Sequence, residues 1–381
     1  MSTSPSSIII VGAGLFGLTA AIELRRREWQ VSVIDPGPLP RPEAASTDIS
    51  KVVRADYGSD ELYTALGEES LAGWTAWNQD WGETLYHEDG FLVMSAGAPL
   101  PGGFEHESYH LLSQRGFELQ ELDANEINRR FPAWTKDRYQ SGYLNPRAGW
   151  VESGKVISRL VRQARDNGVV IRERSPFHRM MDHGFKVSGV ITESGERIEA
   201  DVTLLAAGAW TPTLLPELKP FMRATRQAVV CLKVNDLERY TAPRFPVWAA
   251  DMATTGWYGF PALPDGTLKI ARHLPGVEVH PDDPREVLPE EVEEIRQFVA
   301  ENLPELKDAP VIGTRLCLYS QTFDGHFWID RHPQKEGLVV ASGDSGHAFK
   351  FAPVMGRVIA DAVEQKETQI DRFRWREYKQ N

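Results

Sequence analysis

Ten residues near the start of the chain, IIIVGAGLFG at 8–17, leave little freedom in what can follow them. The run from Ile8 to Val11 is apolar throughout, as a strand buried on both faces requires. Gly12, Gly14 and Gly17 then form G-x-G-x-x-G, LTAAIELRRRE has the apolar spacing of a helix, and QVSVID reads as a second strand ending at Asp35. A strand, glycine turn, helix and second strand with a terminal acid make the βαβ unit that binds a dinucleotide. Gly12 permits the tight turn, Gly14 lets the backbone approach a pyrophosphate, and Gly17 allows the helix to close on the strand. The helix N-terminus attracts phosphate. The Asp35 carboxylate suits a ribose diol, which favours NAD or the adenosine half of FAD over NADP.

At 381 residues the chain exceeds the size at which one core stops growing, so two domains are expected. The formal charge of −12 argues against nucleic acid and anionic membrane as partners. An anionic ligand must therefore be gripped by a few local cations. Two cysteines cannot build a disulfide framework or a four-cysteine zinc site. Cys231, in AVVCLKV, reads as a buried strand residue. No metal site is expected, and no G-x-S-x-G elbow supports hydrolase chemistry. The apolar start has no basic flank and is interrupted by glycines, so it reads as neither a signal peptide nor a membrane span. A cytoplasmic protein is expected.

The segment IEADVTLLAAGAWTPTLL (198–215) chooses between the dinucleotides. It is a strand feeding AAGAW and then a helix, and it resembles the second flavin contact of FAD enzymes of the glutathione-reductase type. No second G-x-G-x-x-G is present for a nicotinamide. FAD is the expected cofactor.

Four more segments carry a specific resemblance: DISKVVRADYG, GWYGFPALPDGTLKIARH, RLCLYSQTFDGHFWIDRHP and SGDSGHAFKFAPVMGRVIADAV. With IIIVGAGLFG they stand in the order found in the monomeric sarcosine oxidase family, which includes pipecolate oxidases, N-methyltryptophan oxidases and fructosyl amino acid oxidases (amadoriases). The chain resembles that family along essentially its whole length. The resemblance implies an α/β fold in which a Rossmann-like FAD-binding domain of the glutathione-reductase type is interleaved with a mixed antiparallel-sheet substrate domain. The FAD domain is expected to take 1–85, 150–220 and 320–381, and the substrate domain 86–149 and 221–319. A monomer is expected.

Read alone, Cys317 is a small buried hydrophobe. In the family, C-x-Y-(S/T)-x-T followed by an Asp-x-His-Pro places a cysteine on the flavin 8-methyl position. Cys317, Tyr319, Thr322, Asp330, His332 and Pro333 stand in register with it, which implies a covalent flavin. Attack requires a thiolate, which nearby cations favour. By the same resemblance Arg54 and Lys350 grip the substrate carboxylate, and Tyr258 and His273 line the substrate pocket. Lys269 lies against the flavin, where a fixed cation stabilises the anions formed from oxygen.

Cofactor contacts are implied for Gly12, Gly14, Leu15, Phe16, Gly17 and Asp35, and then for Ser46, Thr47, Lys51 and Val170. Ala207, Gly208 and Trp210 follow in AAGAW, and Gly343, Gly346, His347, Phe349 and Lys350 in the last segment. Backbone N–H groups at that glycine-rich junction favour negative charge on the reduced ring.

The implied activity is FAD-dependent oxidation of the C–N bond of a secondary-amine amino acid such as sarcosine, an N-methyl amino acid or pipecolate. Its products are an imine that hydrolyses and hydrogen peroxide. Two cations on one carboxylate make the substrate an amino acid rather than a plain amine. His273 and Tyr258 match the sarcosine-type members, whereas Lys51 within DISK matches the fructosyl oxidases, so a deglycating oxidase stays open. So do a dehydrogenase passing electrons to another acceptor and a flavin-bearing subunit without turnover.

Overall fold

A computed structural model of the chain describes residues 6–274 and 276–377. Ile8, Ile9 and Ile10 are all buried because Ser7–Val11 lies inside a six-stranded sheet. Val202–Leu205 flanks it on one side and Gln30–Ile34 on the other, both parallel to it. Leu338–Ser342 extends the parallel core, Trp328–Arg331 closes one edge antiparallel, and Val170–Arg172 closes the other. Strands buried on both faces need helices above and below. Leu15–Arg26 and Ala352–Glu364 pack together over the sheet. Arg27 ties that pair by ion pairs to Glu23, Asp361 and Glu364.

A second sheet has eight strands in the order Val311–Thr322, Met222–Lys233, Thr267–Arg272, Trp257–Gly259, Val247–Ala250, Phe91–Ser95, Ser141–Asn145 and Gln120–Asp123. All its pairings are antiparallel except that of Val247–Ala250 with Phe91–Ser95. One face is filled by Trp134, Phe245, Trp248 and Phe298, the last from helix Pro289–Asn302, whose Glu290, Glu293, Glu294 and Glu301 face water. The hairpin read from PALPDGT forms, with Trp257 opposite Arg272 and Tyr258 opposite Ala271. Cys231 lies on Met222–Lys233 as expected but is only half-buried, with Lys269 across the ladder on one side and Gly313, which has no side chain, on the other.

A three-stranded sheet made of Lys51–Val53, Gly149–Val151 and Tyr86–His87 sits at the junction of the two larger ones. It delivers Lys51 and Arg54 to the space between them.

Candidate functional site

A cavity of about 400 Å³ runs from the glycine turn to the face of the second sheet. Gly12, Gly14, Leu15, Phe16 and Asp35 line one end, with Ser46, Ala207, Gly208 and Trp210 beside them. Lys51, Arg54, Tyr258, His273, Cys317 and Tyr319 line the other, closed by Gly346, His347, Phe349 and Lys350. Five expected site residues stand off the wall. Gly17 packs its backbone on Gly12, where a Cβ would lie 1.9 Å from the Gly12 carbonyl oxygen. Gly343 lies beneath Thr322 and Trp328. Val170 is on the sheet's edge strand and half exposed. Thr47 has its hydroxyl buried without a partner among the described residues. Lys269 is buried beside the cavity rather than in it.

The first end is built for a dinucleotide. Gly12 has φ +106°, and a Cβ there would lie 2.5 Å from the Ala206 carbonyl oxygen, so only glycine lets the ends of the two parallel strands approach. Helix Leu15–Arg26 starts at Gly14 with no side-chain cap, which leaves its first N–H groups for a ligand. The Asp35 carboxylate is oriented by the Ala13 N–H at 2.9 Å and the Gly37 N–H at 3.1 Å. Burial raises its pKa, and those two donors oppose the rise.

At the other end, strand alternation puts Cys317 and Tyr319 on one face of Val311–Thr322, with Gln227 across the ladder from Cys317. The Arg54 guanidinium lies 4.9 Å from the Tyr57 ring centre and 5.0 Å from that of Phe104. Its Nη1 is buried with no hydrogen-bond partner among the described residues. The carboxylate two residues on, Asp56, is engaged by the Tyr143 hydroxyl at 2.7 Å and Asn145 Nδ2 at 3.0 Å.

Lys350 donates to the Tyr57 hydroxyl at 3.0 Å and to the His347 carbonyl at 2.8 Å. His347 Nε2 lies 3.0 Å from the Gly325 carbonyl, which can only accept, so its Nδ1 accepts from the Tyr57 hydroxyl at 3.0 Å. Burial, and then Arg54, push the Lys350 pKa well below its ordinary value. Two cations in one cavity with no anion between them form a site for a carboxylate.

The wall at His273, Tyr319 and Tyr258 is polar and neutral. His273 Nδ1 is 3.3 Å from the Tyr319 hydroxyl, which also bonds Tyr258. Burial, and then Lys350 and Arg54, take the His273 pKa down to about 4, so it is uncharged at neutral pH. Burial lifts Tyr258 to about 12. Behind this wall Lys269 Nζ donates to Asp48 Oδ2 at 2.6 Å and to the Ser50 carbonyl at 2.7 Å. Lys51 Nζ donates to the same Asp48 oxygen at 3.0 Å.

Asp48 and Tyr57 are the two residues that sequence reasoning missed. The D-x-x-K spacing of Asp48 and Lys51 was visible, but nothing in it pointed to Lys269. Tyr57 meets His347 across 290 positions, and no local pattern signals that. Among the described residues no cluster of three or more His, Cys, Asp or Glu could hold a metal, and no helix is long and apolar enough to cross a membrane.

The parallel sheet, the close backbone approach at Gly12, the uncapped helix and the Asp35 carboxylate define a dinucleotide-binding α/β protein, and these residues fit the adenosine and pyrophosphate of FAD. The chain belongs to the FAD dependent oxidoreductase family, whose model matches residues 7–362. It is similar to L-saccharopine oxidase of Schizosaccharomyces pombe (strain 972), 30% identical over 411 residues that cover 97% of this chain and 93% of that protein. It is also similar to monomeric sarcosine oxidase of Bacillus sp. (strain B-0618), 27% identical over 96% of this chain and 93% of that one. Among solved structures, the deglycating fructosamine oxidase of Aspergillus fumigatus (Amadoriase II) in complex with FSA superposes with a TM-score of 0.85 at 26% identity, over 98% of this chain and 90% of that one. The protein is a FAD-dependent oxidoreductase.

Proposed function

We propose that the chain oxidises the C–N bond of a small secondary-amine amino acid, with molecular oxygen as the electron acceptor. The observation that carries this reading is the pair Arg54 and Lys350, two cations without an anion at one end of a cavity whose other end fits FAD. Bound FAD supplies acceptance of a hydride from the carbon beside the amine nitrogen and return of two electrons to oxygen, leaving an imine that hydrolyses and hydrogen peroxide. Arg54 and Lys350 bind the carboxylate, whose negative charge favours the protonated form of Lys350. Tyr258, Tyr319 and His273 orient the amine with neutral hydrogen-bonding groups. They neither stabilise an ammonium nor take a proton readily, so the substrate reacts as the free amine.

Relatives are oxidases of L-saccharopine and of sarcosine, both secondary-amine amino acids. The neutral wall offers no carboxylate at His273 to meet a cationic sugar-bearing amine, which favours an N-alkyl or cyclic substrate. A second reading, a deglycating oxidase of fructosyl amino acids, is favoured by Lys51 and by the likeness to Amadoriase II. Peroxide release by the purified protein decides between them. Sarcosine, L-pipecolate and L-saccharopine are expected to turn over, and fructosyl-glycine and fructosyl-valine are not. Turnover of the fructosyl pair alone would replace the first reading with the second.

The proposal extends to a thioether between Cys317 and the flavin 8-methyl group. It is supported by the position of Cys317, buried on the cavity wall beside Lys51 and Tyr258. Acid-precipitated wild-type protein is then expected to keep its yellow colour in the pellet, whereas C317S releases the flavin to the supernatant. Release from both would disprove the bond. Lys269 supplies the cation for the oxygen reaction, so K269M should slow reoxidation far more than reduction in rapid-mixing experiments. Equal slowing of both would remove that role. The reading also takes the chain as a cytoplasmic monomer whose domains divide at the boundaries given above.

A further inference from the structure

We propose that Asp48 is a positioning residue that gathers Lys269 and Lys51 on one carboxylate oxygen and thereby sets the charge the two lysines hold beside the cavity. This rests on the reading above, in which the flavin ring lies at the Cys317 end and Lys269 serves the oxygen reaction.

The geometry is specific. Asp48 Oδ2 receives Lys269 at 2.6 Å and Lys51 at 3.0 Å, while Oδ1 receives the N–H of Ile49 at 2.7 Å. The main chain of Asp48 is held as well, its carbonyl accepting from Gly154 N–H at 2.7 Å and Ser153 Oγ at 2.8 Å. A Cβ at position 154 would approach that carbonyl to 3.0 Å, so the N-terminus of helix Ser153–Asp166 leaves the aspartate no room to drift. The side chains of Asp48 and Lys269 are almost wholly buried, at 3% and 2% exposure. Two buried ammoniums without a counter-ion would repel each other and lose their hydration. One carboxylate between them leaves a net single positive charge, fixed in place and shared by Lys51 on the cavity wall and Lys269 behind it.

The charge balance predicts opposite shifts for the two ways of disturbing it. Burial lowers the Lys269 pKa to about 8, with Asp48 opposing the fall and Lys51 adding to it. Burial alone would raise Asp48, but Lys269 and Lys51 hold it far below the usual carboxylate range. The other titratable groups that bear on the cluster are Cys317 and Arg315 from Val311–Thr322, Cys231 from Met222–Lys233, Tyr258 from the hairpin and Asp344 from the glycine-rich turn. Of these, Cys231 and Tyr258 are pushed further from ionisation by burial and stay neutral around pH 8.

The test is a titration of holoenzyme containing isotope-labelled lysine, followed by NMR in wild type, D48N, D48E, K51M and K269M. The Lys269 signal is the one that K269M lacks. In parallel, the rate at which oxygen reoxidises the substrate-reduced enzyme is measured against pH. D48N is expected to lower the Lys269 midpoint by about one pH unit or more, roughly tenfold in proton affinity. K51M is expected to raise it, and D48E to restore most of the wild-type value. The rate should fall at lower pH in D48N and at higher pH in K51M. An unmoved midpoint in D48N, or a shift of the same sign in D48N and K51M, overturns the proposal. Should D48N fail to fold, K51M carries the test, and an unmoved Lys269 midpoint there overturns it equally. If the midpoints move as expected while K269M reoxidises at the wild-type rate, the placement by Asp48 stands and the oxygen role of Lys269 falls.

Discussion

R54Q is expected to lower kcat/KM for a carboxylated secondary amine by about 10²–10³-fold, roughly 3–4 kcal/mol, while leaving the melting temperature nearly unchanged. Each hydrogen bond from a charged donor to a charged acceptor contributes about 1.5–3 kcal/mol, and a guanidinium can make two to one carboxylate. The unchanged stability follows from what Arg54 lacks before substrate arrives. Its Nη1 is buried with no hydrogen-bond partner among the described residues, so removing it breaks no hydrogen bond there. What is lost is stacking on Tyr57 and Phe104 and the charge interaction with buried Asp56, whose bonds to Tyr143 and Asn145 remain, offset by relief of a desolvated charge. Steady-state kinetics and a thermal melt of the same preparation check both halves. A variant that melts far below wild type yet keeps its kcat/KM would show that Arg54 holds the fold and not the substrate.

The second large effect belongs to the other end of the cavity. G12A is expected to purify colourless, having lost FAD, because the new methyl group would meet the backbone of Ala206 and the residue would be held at φ +106°. G208A is the control. It also needs a left-handed backbone, at φ +54°, but its Cβ would meet nothing within 4 Å, so a cost near 1 kcal/mol and a retained flavin are expected. Equal flavin loss in both variants, read from the visible spectrum, would mean that strain alone empties the site and that the close backbone approach is not what shapes it.

What could be read before the structure was what is local in the chain. The βαβ unit was legible because the Ile8–Val11 run, the glycines and Asp35 lie within one short segment whose parts all agree. The hairpin carrying Tyr258 and His273 was legible because PDG marks its turn. Directions across the fold were not. The pattern named Lys269, but not its counter-ion Asp48, which is 221 positions distant. Cys231 read as buried because its own neighbours are apolar, yet it is half-buried, with side-chain-less Gly313 beside it on the next strand. Val170 shares a sheet with the glycine turn and still points to solvent, since it sits on the last strand. Arg54 was recognisable as a cation in the right motif. That its Nη1 has no hydrogen-bond partner among the described residues, which leaves it for a ligand, emerges only when Asp56 is seen committed to Tyr143 and Asn145.

The most direct test of the central claim is a matched pair mixed anaerobically with the yellow protein: L-pipecolate against piperidine, and sarcosine against dimethylamine. The members of each pair share the secondary amine and differ in the carboxylate. The account predicts that the amino acids bleach the visible flavin absorbance and that the plain amines bleach it at least about 10²-fold more slowly, the loss of a charge-assisted pair of hydrogen bonds. Plain amines that reduce the flavin as fast as their carboxylated partners would contradict it, because Arg54 and Lys350 would then have no part in binding.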